Sequence, residues 1–81
     1  PRAVLVRISG YGQSGPYRNQ PGYGTVCEAF GGVRHVTGFP DRPPARVSVA
    51  LTDYVTALYA AFGAMLALRE RDASGRGQVV E

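Results

Sequence analysis

A chain of 81 residues with nine arginines, no lysine and six acidic residues carries a net charge of +3 and has room for at most one small domain. The arginines are scattered, which argues against a nucleic-acid-binding arm and reads as solvated surface, with a phosphate pocket as the alternative. The single cysteine, Cys27, excludes an internal disulfide and favours a reducing, cytoplasmic setting, and the first residues carry no signal-peptide pattern.

Residues 3–9 (AVLVRIS) predict a strand, β-branched and apolar on both faces, as in an interior and often parallel strand. Val4 and Val6 face one way, Leu5 and Ile8 partly the other. Residues 9–16 then break into a loop with three glycines and a proline. Gly10, Gly12 and Gly15 match G-x-G-x-x-G in form only. Pro16 follows at once and no apolar-periodic helix begins there, so a dinucleotide-binding turn fails on context. Pro21-Gly22 marks a turn. Residues 24–33 predict a short helix with Thr25 as a possible cap, ended by Gly31-Gly32. The prolines of residues 37–44 exclude helix. Residues 45–50 (ARVSVA) suit either a short strand or an extended lead-in to the next element.

Residues 52–72 predict the dominant element, a long helix. It contains no proline and only Gly63, and strong helix formers fill it. Thr52 is the candidate N-cap, and Arg69 and Arg71 suit the dipole at the other end. Val55, Leu58, Tyr59, Phe62, Met65, Leu66 and Leu68 make it apolar nearly all round, which predicts burial on most sides. Ala57, Ala60, Ala61 and Ala64 form a small stripe that lets another backbone approach. The apolar stretch of about 15 residues falls short of the roughly 20 that cross a bilayer, so no membrane span is expected. Residues 73–77 read as C-cap and turn, and residues 78–81 as the start of a strand. One convincing strand cannot cover such a helix. The chain therefore reads as a fragment of a larger protein, or as a small domain completed by oligomerisation.

Few residues offer chemistry. His35 is the lone histidine, and with one cysteine no metal-ligand spacing exists, so no metal is expected. No serine is flanked as in a nucleophile elbow. Cys27 has no basic sequence neighbour to stabilise a thiolate and reads as structural. Asp53 stands at the head of the long helix. A carboxylate there is either a helix cap or, at the start of a rigid rod, a nucleophile toward an activated acyl group. Tyr23, between glycines, reads as packing or as a site residue.

The blocks RISGYGQSGP (residues 7–16), PGY (21–23), GGVRHVTG (31–38), PDRPP (40–44), ALTD (50–53) and SGRGQ (74–78), in this order, resemble the family III CoA-transferases of CaiB/BaiF type. The resemblance covers essentially the whole chain. It implies an α/β fold, with residues 1–81 a partial large domain containing a strand, Gly-rich loops, a short helix, a long buried helix and the start of a strand. It implies an interlocked homodimer in the full-length protein, acyl-CoA and carboxylic acid substrates, and no cofactor beyond the coenzyme A thioester itself. Asp53 matches the family's aspartate nucleophile, and Tyr23, with Gly22, matches the residues lining its pocket. Racemases of the same superfamily usually have histidine where Tyr23 stands, which favours the transferase. Where relatives often carry an acidic residue after that position, this chain has Gly24. A non-catalytic helical interaction module, docking through the small stripe, is the alternative from another class.

Overall fold

Strand β1 (Leu5–Val6) exists because β2 (Val79–Val80) lies alongside it, in a computed structural model that describes all 81 residues. The two pair in parallel, Leu5 opposite Val79 and Val6 opposite Val80. The Leu5 N–H donates to the Gln78 carbonyl at 3.1 Å and the Arg7 N–H to the Val80 carbonyl at 2.9 Å. Only two residues of the predicted strand 3–9 are in the ladder, because β2 supplies partners for no more. Val4 and Val6 are half-buried and Leu5 is exposed, as alternation implies; Ile8, of the same parity as Val4 and Val6, is exposed because it lies beyond the two-residue ladder, not because it faces with Leu5.

Helix α1 (Gly24–Phe30) is shorter than the predicted 24–33, and Thr25 does not cap it. Tyr23 takes the N-cap position with extended backbone and no side-chain bond. Gly31 closes the helix by donating to the Cys27 carbonyl at 2.8 Å. The residues after it turn back, so that Arg34 Nε reaches Glu28 Oε2 at 3.3 Å. Glu28 is only 1% exposed, and burial of its charge is compensated by that pair. Residues 45–50 are the extended lead-in, not a strand.

Helix α2 (Leu51–Ser74) runs 24 residues. Thr52 is not its cap: Ala50 takes that position, and Thr52 lies inside the first turn. The Leu51 N–H donates to the Val49 carbonyl at 2.8 Å, so a tight turn starts the helix earlier than the Thr52 signal suggests. Gly75 ends it in the left-handed conformation (φ 75°), donating to the Arg71 carbonyl at 2.7 Å.

The strand pair packs on α2 along a small-residue face that differs from the expected stripe. Ala60, Gly63, Ala64 and Ala67 are the covered positions, whereas Ala57 and Ala61 are exposed. A Cβ on Gly63 would come within 2.7 Å of Val80 Cγ1, so the glycine is what lets β2 lie this close. The expected burial of α2 on most sides is not supplied by these residues. Ala67 is its one buried residue, and Tyr54, Leu58, Tyr59, Phe62, Met65 and Leu66 are each more than half exposed. The chain measures 56 × 23 × 14 Å; its thinnest dimension barely exceeds the roughly 10–12 Å diameter of a single helix.

This sheath of uncovered apolar side chains has a direct consequence. Expressed alone, residues 1–81 should self-associate and lack a cooperative melt. Size-exclusion chromatography and circular dichroism at low concentration check this, and a monodisperse monomer with a sharp transition would contradict it.

The expectation that the long helix is too short for a bilayer needs correction. Leu51–Ser74 is long and apolar enough, by length and composition, to cross one. Its packing argues otherwise. The middle of the helix packs on the parallel strand pair, Gly63 against Val80, as the core helix of an α/β layer does.

Candidate functional site

Three chain segments converge on one cleft of about 550 Å³: the end of the β1 run (Ile8, Ser9, Gly10), the Gly22-Tyr23-Gly24 turn, and the first turn of α2 with Thr52 and Asp53. The convergence depends on a backbone crossing. A Cβ on Gly10 would sit 2.5 Å from Gly22 Cα, and one on Gly22 would sit 2.7 Å from Gly10 Cα. Two loops in main-chain contact thus form one wall, and neither position admits a side chain.

Asp53, Tyr23 and Gly22, singled out from the sequence, all line this cleft. Asp53 is exposed and lies in the first turn of α2, where the helix dipole stabilises negative charge. Its carboxylate caps nothing, since no side-chain bond reaches the helix N–H groups. Oδ1 accepts the Thr52 hydroxyl at 3.3 Å. Tyr23 is 74% exposed at the mouth of the cleft. Gly22 contributes its backbone at the crossing with Gly10.

Four further residues meet here that the sequence did not single out for the site. Cys27 lines the cleft, and its thiol donates to the Gly10 carbonyl at 3.8 Å, tying α1 to the Gly-rich loop. Gly10 was legible only as part of a failed nucleotide motif. Gly24 and Thr52 also line it, and a Cβ on Gly24 would come within 2.8 Å of the Thr52 hydroxyl oxygen. His35 lies elsewhere, in a loop with Phe39 and Arg42. No group of three His, Cys, Asp or Glu side chains is placed to hold a metal ion. Beyond Ile8 and Ser9 the cleft adjoins an apolar groove of about 530 Å³ between the strand pair and Val55, Tyr59 and Phe62 of α2. The arrangement thus offers a carboxylate held on one oxygen, open to a cleft with a phenol at its mouth. Such a group can attack an acyl carbon.

A parallel strand pair packed on a long helix, with a carboxylate at the helix head facing Gly-rich loops, defines part of an α/β enzyme domain. The sequence pattern of CoA-transferase family III matches residues 1–81, and the chain belongs to that family. It is 51% identical over 81 residues to the succinyl-CoA–D-citramalate CoA-transferase of Chloroflexus aurantiacus, covering 100% of this chain and 20% of that protein. It is 44% identical over 82 residues to the beta subunit of the succinyl-CoA–L-malate CoA-transferase of the same organism, again 100% of this chain and 20% of the other. A crystal structure of a CaiB/BaiF family protein from Brucella suis superposes with a TM-score of 0.96 at 36% identity, over 99% of this chain and 21% of that one. The chain thus spans about a fifth of the length of the relatives it matches.

Proposed function

We propose that the full-length protein moves coenzyme A from an acyl-CoA to a carboxylic acid, with Asp53 as nucleophile. The observation that carries this is the Asp53 carboxylate, uncapped and facing the cleft that Tyr23 and Gly22 also line. One carboxylate oxygen attacks the thioester carbonyl, the C–S bond breaks, and CoA thiolate leaves an acyl–aspartyl anhydride. The thiolate then attacks the aspartyl carbonyl, releasing the donor acid and leaving an aspartyl–CoA thioester. The acceptor carboxylate attacks that thioester, and the returning thiolate takes the acceptor acyl group and frees Asp53. Bonds broken and formed balance without a metal, a redox partner or a cofactor other than the CoA thioester. Amides at the head of α2 supply positive potential for the developing oxyanion.

Residues 1–81 form part of the large domain of a cytoplasmic, interlocked homodimer, in which the rest of the subunit and its partner cover the apolar flank of α2. Activity belongs to that assembly, because a site acts only when its whole shell holds it. Two named relatives use succinyl-CoA, which makes it the first donor to test. A two-base racemase is disfavoured, because tyrosine stands at position 23 in the cleft, where racemases of the superfamily usually have histidine. The interaction-module alternative loses its motive with membership in a family of enzymes.

Incubating the full-length protein with succinyl-CoA and quenching with hydroxylamine should convert Asp53 to its hydroxamate, read by peptide mass spectrometry. Turnover with no modification at Asp53 would reject the assignment.

A further inference from the structure

The cleft and the apolar groove beside it share three lining residues, Ile8, Ser9 and Thr56, which form the neck between the two spaces. Ser9 and Thr56 carry hydroxyls, and both residues are exposed. Ser9 Oγ accepts the Gln13 side-chain amide at 2.9 Å. That bond takes an acceptor position of the oxygen and leaves the serine its proton to donate. Neither hydroxyl donates to any group of the chain. Thr56 also lacks the bond to the carbonyl one turn back that helical threonines often make. Past the neck, Arg7 is the one cation and is in no ion pair, whereas the one acid there, Glu81, already accepts the Gln13 N–H at 3.2 Å.

We propose that Ser9 and Thr56 select the acyl group, their hydroxyls donating to the distal carboxylate of a four-carbon dicarboxylic acyl group joined to Asp53. This rests on Asp53 being the nucleophile. Thr56 lies three residues along α2 from Asp53, hence on the same face and about 4.5 Å further along the axis. An extended four-carbon chain, with bonds of about 1.5 Å, spans roughly 4 Å. An acyl group whose carbonyl carbon meets Asp53 and whose chain follows the helix therefore brings its fourth carbon to the neck. A carboxylate there receives two hydroxyl protons and faces the unpaired charge of Arg7. A methyl group at the same place leaves both hydroxyls against an apolar end. A site built to hydrogen-bond a substrate oxygen discriminates strongly against the analogue that lacks it.

The test compares succinyl-CoA with butyryl-CoA, equal in carbon number but without the distal carboxylate, as donors for the full-length protein. It follows kcat/KM for each ester and hydroxamate formation at Asp53. The wild-type protein should prefer succinyl-CoA by about 100-fold or more. Ser9→Ala and Thr56→Val should each lower that preference by about tenfold, while Ser9→Thr and Thr56→Ser, which keep the hydroxyl, should hold it within about threefold. The preference is a ratio taken on one preparation, so a partly unfolded variant still reports it and a general structural effect cancels. A wild-type protein that uses both esters alike, or a wild-type preference retained by either Ser9→Ala or Thr56→Val, would overturn the proposal. Failure of the nucleophile assignment looks different, since succinyl-CoA would then be consumed with no hydroxamate at Asp53.

Discussion

Asp53→Asn in the full-length protein is expected to leave the fold in place and to lower CoA transfer by about 1,000-fold or more, as nucleophile deletions do in covalent catalysis. The two halves of this expectation have separate causes. For stability, Asp53 makes no cap bond that the amide would have to replace. An asparagine oxygen can still accept the Thr52 hydroxyl that now reaches Oδ1. What is lost is the interaction of one negative charge with the head of α2, typically about 0.3–1 kcal/mol. For chemistry, an amide cannot form the acyl anhydride, so the covalent route closes. Calorimetry and steady-state rates on the same preparation separate the two. Near-normal transfer by Asp53→Asn would place the nucleophile outside these 81 residues.

The long helix was legible because composition alone determines it. Residues 52–72 lack any interior breaker except Gly63, and Gly75 marks the stop. Its start was less legible, since the Val49 turn precedes the Thr52 signal and is set by how the lead-in folds back. The covered face was misplaced by one strip of the helix. The alanines at 57, 60, 61 and 64 look equivalent in sequence, but only the approach of Val80 to Gly63 decides which of them face the strands. Glu28 reads as a surface charge until Arg34 turns back onto it. At the site, motif order brought out Asp53, Tyr23 and Gly22. It could not reveal that Gly10 and Cys27 join them, because contacts between segments distant in sequence decide that. The uncovered flank of α2 follows from the same limit: apolar periodicity says that a face needs a cover, not which residues provide it.

The crossing of Gly10 and Gly22 predicts the other large effect. Gly10→Ala would place a methyl group 2.5 Å from Gly22 Cα, 2.7 Å from its nitrogen and 3.1 Å from its carbonyl carbon. All three are backbone atoms, so no side-chain rotation relieves the contact. Carbon atoms settle at about 3.5–4.0 Å, so the two loops must separate by roughly an ångström. Overpacking of this kind costs about 1–3 kcal/mol and sometimes more, which should show as a fall of several degrees in Tm or as loss of soluble full-length protein. The effect reaches the chemistry, because Tyr23 follows Gly22 directly and Ser9 precedes Gly10, and all four line the cleft. Whatever Gly10→Ala protein remains folded should transfer CoA at least tenfold more slowly, given the sensitivity of such sites to displacements of this size. Gly22→Ala should behave alike, its methyl group meeting Gly10 Cα at 2.7 Å. Gly15→Ala is the control in the same loop region: its nearest neighbour, the Tyr11 carbonyl oxygen, is 4.0 Å away and its φ is not positive. That variant should stay within about 0.5 kcal/mol of wild type and keep its rate. A Gly10→Ala protein as stable and as active as Gly15→Ala would mean that the two loops do not hold each other in the full-length enzyme.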